Sequence, residues 1–150
     1  MTDGAIMLNT RSGWLVSQTK TEKVFIEPMD FSLMIGSNSE KNTITYAGYK
    51  LPSSDAPEYA QLIKYYEEAG MDLPNMIVHF HHPTLTRSDE FPENTTEEEL
   101  EYGVFESGDI IFEELQKRDT NWLVLKNHGL LWLGNSVEEF EEFLENTLEL

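Results

Sequence analysis

The chain has 150 residues, 39% of them hydrophobic, which suits one domain with a substantial core and argues against disorder. Its 28 acidic and 10 basic residues give a formal net charge of -18, which argues against nucleic acid and anionic membranes as partners, because no basic surface is available to displace phosphate counterions. The absence of cysteine excludes disulfides and thiolate ligands, so any metal site must use histidine, carboxylate or water.

The first half of the chain is predicted to form short strands. Runs of β-branched, aromatic and other apolar residues predict strands at 13–17, 24–26 and 31–36. The polar cluster 37–42 indicates a turn before a further strand at 43–46. The strands on either side of this turn are therefore expected to pair as a hairpin.

The first predicted helix begins near residues 53–55. Ser54 or Asp55 can accept hydrogen bonds from the free backbone N–H groups of the first turn. Apolar residues then recur at helical spacing as far as Ala69, and Gly70 is expected to end the helix.

The next predicted elements are a strand, a loop and a helix in the middle of the chain. A short apolar run at 76–80 favours a buried strand, and the polar residues 84–96 favour a loop. Thr95 or Thr96 is expected to cap a helix whose first turn holds three glutamates. This helix either continues or restarts after Gly103, and ends at a basic pair, Lys117 and Arg118.

The last part of the chain is predicted to form a hairpin and a helix. Strands at 122–126 and 130–134 flank a turn at 127–129, and Ser136 is expected to cap the final helix. Since several strands are joined by hairpins, we expect a mainly antiparallel sheet covered by helices. No segment has the character of a leader peptide or a membrane span. The lack of cysteine fits a cytoplasmic location.

Three of the four histidines lie within the motif His79-Phe80-His81-His82, and the fourth is His128. In a strand, residues two apart face the same side, so His79 and His81 form half of a tetrahedral metal site, while Phe80 points into the packing on the other side. His128 can supply a third imidazole from its turn. Three ligands and an open position are typical of a catalytic metal, whereas His82 is interpreted as structural or supporting.

These motifs resemble, in order, those of the class II aldolase/adducin N-terminal domain family over residues 8 to 145. The segment 76–83 resembles the family's strand ending in His-x-His, and 123–134 resembles its Asn-His-Gly strand. Upstream, 52–55 is similar to its Pro-Ser-Ser-Glu motif, with Asp55 in place of glutamate, and Tyr102-Gly103 stands where the family begins a helix.

The resemblance implies a single domain over residues 1–150 with a three-layer α/β/α fold and a mainly antiparallel central sheet. It also implies Zn²⁺, or another divalent metal, on His79, His81 and His128. Asp55 would be the acid/base residue of a lyase that acts on a small sugar phosphate or hydroxy-carbonyl compound through an enediolate. Family members are commonly homo-oligomers, often tetramers, so a homo-oligomer is expected here.

The resemblance further implies a substrate-binding set of Ser53, Ser54, Asn9, Thr19 and Lys20. The two serines are equally suited to capping and to phosphate binding, and both roles can hold together. Asn9 is retained from a phosphate-binding segment whose glycine is replaced here by Leu8. Thr19 and Lys20 align with a second phosphate loop, where Lys20 replaces a glycine and is either a phosphate ligand or a simple surface lysine.

Relative to the family, the chain is expected to be truncated at both ends, which leaves other functions open. One alternative is an epimerase or dehydratase on the same metal scaffold, and another is use of the open site for metal-dependent hydrolysis. A different class is a non-catalytic adducin-like binding or assembly module, or a regulatory metal-binding oligomer. Adducin-like heads usually lack the three histidines, so their presence here favours chemistry.

Overall fold

The structure is a computed structural model that describes residues 4–21, 26–87 and 89–150. These residues form a seven-stranded sheet with the spatial order β4-β3-β2-β1-β5-β7-β6, in which every neighbouring pair is antiparallel. The strands are β1 (Gly4–Thr10), β2 (Gly13–Ser17), β3 (Phe31–Asn38), β4 (Thr43–Ala47), β5 (Met76–Phe80), β6 (Trp122–Leu125) and β7 (Gly129–Gly134). The helices are α1 (Ala56–Glu68), α2 (Phe105–Arg118) and α3 (Val137–Asn146).

The predicted antiparallel sheet is confirmed, and both predicted hairpins are present as β3–β4 and β6–β7. The predicted strand at 24–26 falls largely outside the described residues. A strand that the sequence analysis did not predict, β1, lies at the centre of the sheet between β2 and β5. Its register places Gly4 opposite Phe80, so the N-terminal end of β1 lies beside the histidine motif.

Two apolar clusters lie on opposite sides of the sheet because successive strand residues point to opposite faces. In β5, for example, Ile77 belongs to the cluster that contains residues of α1 and α2, whereas Val78 belongs to the cluster that contains Phe143 of α3. None of the helices in the described part of the chain combines the length and apolar character that a bilayer span requires.

The first helix ends where Gly70 adopts a left-handed conformation, and Ser136 accepts a hydrogen bond from the Glu139 N–H at the start of α3, both as predicted. Asp55 occupies the N-cap position of α1 but its side chain makes no capping hydrogen bond, so the predicted capping role is wrong. The Asp55 carboxylate lies instead within hydrogen-bonding distance of the Ser53 hydroxyl.

The predicted helix start at Thr95 or Thr96 is also wrong, because α2 begins only at Phe105. Thr95 forms an isolated parallel bridge with Val124, and the Thr96 N–H donates to the Val124 carbonyl at 2.9 Å. The Lys126 N–H in turn donates to the Thr96 hydroxyl at 3.1 Å. These hydrogen bonds hold the segment extended along β6, so the helical restart after Gly103 is the alternative that is observed.

Candidate metal centre

The antiparallel pairing of β5 with β7 brings the two histidine motifs together. His79 is the penultimate residue of β5, His81 follows the strand directly, and His128 lies in the turn that leads into β7. Because His79 is paired with Leu131, this turn lies beside the end of β5. Asn127 takes a left-handed conformation with φ of +58°, which lets the turn close tightly before His128.

The three rings form a compact cluster, as the sequence analysis predicted for a metal site. One ligand nitrogen from each of His79, His81 and His128 can be chosen so that all three lie within 4.8 Å of one another. The ring centroids are separated by 5.0, 4.7 and 4.9 Å, and the Nε2 atoms of His79 and His81 are 3.1 Å apart. Two nitrogens at this distance can share a proton or bind one cation between them.

The tautomer of His79 is fixed by its surroundings. Its Nδ1 lies 3.0 Å from the carbonyl oxygen of Leu130, and since a carbonyl only accepts, Nδ1 carries the proton and donates it. The Nε2 lone pair therefore remains available and faces His81. A second hydrogen bond of this kind orients histidine ligands in metal proteins and makes them more basic toward the metal.

Burial favours the neutral form of His79 and His128. The pKa of His79 falls to about 3, first because the ring is buried and then because His128 and His81 lie nearby. The pKa of His128 is also lowered, by burial and by the proximity of His81, although the charge of Asp55 partly opposes this. Neutral imidazoles are the form that ligates metals, so these rings need lose no proton at neutral pH before binding a cation.

The close approach of the rings depends on Gly129, the first residue of β7. A Cβ atom at this position would lie 2.4 Å from Cε1 of His79 and 3.0 Å from Cδ2 of His81. It would also lie 2.9 Å from the Phe80 carbonyl oxygen. The glycine of the Asn-His-Gly motif thus leaves the space in which the imidazoles meet.

An open cleft of about 610 Å³ lies directly beside the three histidines. Its lining combines hydroxyls, a cation, a carboxylate, two of the histidines and a phenol: Gly4, Thr19, Lys20, Ser53, Ser54, Asp55, His81, Tyr102 and His128. Most of the predicted site residues therefore come together, although they derive from distant parts of the sequence. The cleft is the place where a ligand could contact both the histidines and Asp55.

Asp55 is held at the edge of this cleft by Ser53. The Ser53 hydroxyl lies 3.3 Å from Oδ2 of Asp55, to which it can donate, and it accepts from the Asp55 N–H at 3.4 Å. Asp55 is buried, and its charge acts on His128, whose pKa it tends to raise. The serine thus orients the carboxylate toward the cleft rather than toward the N-terminus of α1.

Asn9 and His82 lie outside the cleft and the histidine cluster. Asn9 does not line the cleft: it lies near the far end of β1, where it pairs with Trp14 and its N–H donates to the Asn75 carbonyl at 2.8 Å. His82 stands outside the cluster, and its Nδ1 accepts a hydrogen bond from the Leu85 N–H at 3.2 Å. We therefore leave Asn9 out of the proposed site, and the interpretation of His82 as structural agrees with this bond.

Two neighbours of the site, Glu58 and Tyr102, were not identified as functional from the sequence. Tyr102 was considered only as the aromatic of the helix-start motif, and Glu58 gave no signal because an acidic residue in the first turn of a helix is ordinary. The Glu58 carboxyl is nevertheless only 1% exposed, and its Oε2 accepts from the Gly103 N–H at 2.9 Å. Burial raises the pKa of Glu58 to about 8, and the nearby charge of Asp55 adds to this rise.

We expect this buried carboxyl to make the stability of the metal-free protein fall as the pH rises. Between pH 4.5 and about 8, folded Glu58 keeps a proton that the unfolded chain has released. The stabilisation is therefore complete below pH 4.5 and is lost as the pH rises through 8. Relative to Glu58→Gln, the free energy of unfolding should fall by about 1.4 kcal/mol per pH unit in this window.

Urea unfolding of the two proteins with EDTA, at a series of pH values, measures this difference. Glu67→Gln is the matched control, since Glu67 is an exposed residue of the same helix. The difference in free energy of unfolding between Glu67→Gln and the natural protein should not change with pH in this way. A Glu58→Gln difference that stays constant with pH would contradict a protonated carboxyl at this position.

The fold matches that of solved aldolases over almost the whole chain. L-fuculose 1-phosphate aldolase superimposes with a TM-score of 0.70 and 16% identity, covering 99% of this chain and 72% of that chain. A sugar-phosphate aldolase from Thermotoga maritima gives 0.71 and 18% identity over 95% of this chain and 80% of that chain. L-fuculose-1-phosphate aldolase from Thermus thermophilus gives 0.60 and 17% identity over 91% of this chain and 70% of that chain.

By sequence, no family model and no curated protein matches the chain. The structural likeness at this low identity concerns the fold, which is that of the class II aldolases. The resemblance predicted from the four short motifs is thereby confirmed at the level of the fold.

Proposed function

We propose that this chain, which has the fold of the class II aldolases, is a divalent-metal-dependent lyase that cleaves a small sugar phosphate or hydroxy-carbonyl compound. The observation that carries the proposal is the meeting of three histidine nitrogens within 4.8 Å beside an open cleft that also contains Asp55. The fold by itself supports many reactions, so the site and not the fold is the basis for the proposed chemistry.

The donor set fits a divalent transition metal. His79, His81 and His128 offer three nitrogen ligands, which zinc accepts readily, and the fixed tautomer of His79 leaves its Nε2 available. The cleft next to them leaves room for a further ligand from solvent or substrate. A metal held there would supply a Lewis acid that polarises a substrate carbonyl and stabilises the negative charge of the transition state.

Asp55 is the group that we assign to proton transfer. In cleavage, one carbon of the bond that breaks carries a hydroxyl group. The Asp55 carboxylate would take the proton of this hydroxyl, so that its carbon leaves as an aldehyde. The bonding electron pair stays on the other carbon, conjugated with the substrate carbonyl. The protonated Asp55 then returns its proton to that carbon, which completes the reaction with no other reactant.

Thr19, Lys20, Ser53 and Ser54 are the residues that we assign to the anionic end of the substrate. They line the same cleft as Asp55 and derive from the β2–β3 connection and from the segment just before α1. Lys20 has a left-handed backbone with φ of +58° and an exposed side chain, and it is the cation of the lining. Its charge offsets the acidity of the chain where a phosphate or carboxylate would bind.

The finer features of the fold and the assembly are also proposals. We infer a single domain with a three-layer α/β/α arrangement, since residues of α1 and α2 pack in one apolar cluster and α3 packs in the other. We further infer a cytoplasmic homo-oligomer, such as a tetramer. Several large apolar side chains that remain exposed support self-association, among them Met29, Ile35 and Leu51.

Replacing Asp55 by asparagine is expected to lower kcat/KM by about a hundredfold to ten-thousandfold, because the amide cannot accept the proton. The zinc content should not change. The measurement is aldehyde release from a panel of sugar phosphates and hydroxy-carbonyl compounds by the zinc-loaded protein. Asp72→Asn provides a matched control, since Asp72 is exposed and does not line the cleft.

The same panel separates the alternatives. Isomerised or dehydrated products in place of an aldehyde would identify an epimerase or dehydratase on the same site. A zinc-loaded protein that converts no compound, and whose ligand binding is unaffected by Asp55→Asn, would overturn the lyase proposal and favour a non-catalytic binding module.

A further inference from the structure

We propose that Tyr102 is a substrate-contacting residue of the metal cleft and that Glu58 is the positioning residue that holds Tyr102 there through the Gly103 amide. This inference rests on the proposed function, because it assumes that the cleft beside the three histidines binds the substrate. It assigns a role to Glu58, which lies outside the motifs, and a ligand contact to Tyr102, which the motifs place only at the start of a helix.

Tyr102 lies at the mouth of the cleft and over one of the metal-binding rings. Its ring centroid is 5.7 Å from that of His128, with an angle of 48° between the ring planes. The side chain is nevertheless 64% exposed, so burial contributes little to keeping it in place. An aromatic side chain with a free edge and a hydroxyl, placed beside Asp55 and the histidines, is suited to contact a ligand.

The backbone on either side of Tyr102 is tightly fixed, in contrast to its exposed side chain. Before it, the Ser107 hydroxyl donates to the Glu101 carbonyl. After it, the Gly103 N–H donates to Oε2 of Glu58 at 2.9 Å. Gly103 has a φ of +73°, and a Cβ there would lie 2.9 Å from the Ser54 carbonyl oxygen, so this position requires glycine.

A buried glutamate such as Glu58 is energetically unfavourable, which is why we assign its carboxyl a role. It is only 1% exposed, and its other oxygen, Oε1, is also buried. Burying a carboxyl costs free energy that an apolar side chain of similar size would not cost. What the carboxyl provides in return is an acceptor for the Gly103 N–H, and hence a fixed position for the neighbouring tyrosine.

The location of Glu58 on α1 links this arrangement to the proton-transfer group. Asp55 stands at the N-cap of α1 and Glu58 follows one turn later, so both belong to the same rigid end of the helix. Asp55 reaches the cleft directly, whereas Glu58 acts on it through Gly103. The two groups flanking the histidines, a carboxylate and a phenol, are thus placed by one structural element.

The phenol of Tyr102 can donate a hydrogen bond to a substrate oxygen that does not bind the metal. The ligands expected here are therefore oxygen-rich compounds that place one oxygen toward the histidines and another toward the mouth of the cleft. Loss of one such hydrogen bond between neutral groups weakens binding by about threefold to tenfold.

The first test uses the cobalt(II)-loaded protein and glycolohydroxamate, a small probe that chelates the metal through its two hydroxamate oxygens and keeps a third, hydroxyl oxygen free. Its binding changes the visible spectrum of the metal. Tyr102→Phe is expected to raise the Kd of the probe about threefold to tenfold, and to leave the bound cobalt and the Tm unchanged. Tyr49→Phe is the matched control, because Tyr49 is 90% exposed and does not line the cleft. An unchanged Kd in Tyr102→Phe would overturn the role of Tyr102.

The second test asks whether Glu58 acts through Tyr102. Glu58→Met should weaken probe binding about as much as Tyr102→Phe, while Glu58→Gln, which keeps an acceptor for the Gly103 N–H, should retain the natural affinity. In the Tyr102→Phe background, Glu58→Met should add little, since its target is already absent. Full additivity of the two changes, or an equal loss in Glu58→Gln, would contradict a positioning role.

If Glu58→Met does not fold, Gly103→Ala provides a second way to displace Tyr102 from the cleft. This change leaves α1 unaltered. It should weaken the probe without loss of cobalt. Failure of the natural protein to bind cobalt would overturn the metal centre, and this inference with it. Cobalt and probe binding that are insensitive to Tyr102 would overturn only the inference and leave the proposed function intact.

Discussion

Replacing His81 by alanine is expected to remove the metal from the protein. The natural chain should bind one equivalent of Zn²⁺, because three imidazole nitrogens converge within 4.8 Å. Loss of one of three ligands should lower the affinity by more than about a hundredfold, since even supporting residues around a metal contribute roughly 10- to 100-fold. Elemental analysis after dialysis, and competition with a chromophoric chelator, measure the change.

His82→Ala is the matched control for this experiment. His82 is adjacent in the sequence and similarly half-buried, but its Nδ1 accepts from the Leu85 N–H and it stands outside the cluster. This variant should keep its zinc and lose at most about 1 kcal/mol of stability with the hydrogen bond. Equal zinc loss in both variants, or none in either, would show that the three histidines are not the metal ligands.

Replacing Gly129 by alanine is expected to disrupt the three-histidine site without removing any of its ligands. In Gly129→Ala the new Cβ would meet two imidazole carbons and a strand carbonyl at 3.0 Å or less, and the carbonyl cannot move without disturbing the pairing of β5 with β7. We expect a loss of about 1–3 kcal/mol in the free energy of unfolding, as for other overpacked positions, together with a loss of zinc affinity.

Gly36→Ala separates the steric effect from the general effect of changing a glycine in a strand. Gly36 lies in β3, and a Cβ there would meet nothing within 4 Å. Its stability, measured by urea unfolding, should change by less than about 1 kcal/mol, and its zinc content should not change. If Gly129→Ala were as stable as Gly36→Ala and bound zinc normally, the packing argument for the Asn-His-Gly motif would be wrong.

The parts of this protein that could be predicted from its sequence are those in which the local pattern and the tertiary environment agree. The β6–β7 hairpin follows from two apolar runs around the Asn-His-Gly turn, and α3 follows from Ser136 and its apolar stripe. Strand alternation places His79 and His81 on one face, whereas the assignment of His128 to the same site came from the resemblance to the class II aldolase motifs.

The parts that could not be predicted depend on contacts between segments far apart in the chain. Thr95 and the residues after it have the pattern of a helix start, but hydrogen bonds to β6, which lies much later in the sequence, hold them extended. The position of Glu58 on a buried face likewise depends on how α2 and Gly103 pack against α1. Asn9 was assigned from a short motif, and its distance from the cleft follows from the register of β1, which no local pattern indicates.

The pairing of residues 95–96 with β6 has a consequence for how this protein avoids aggregation. β6 is a terminal strand of the sheet, and an open outer edge there could recruit a strand from another molecule. Thr95 and Thr96 already occupy the hydrogen-bonding positions around Val124, and the glutamates that follow bring negative charge to the same border. Residues 95–96, which resemble a helix start in the sequence, thus cover a sheet edge that could otherwise pair with a strand of another molecule.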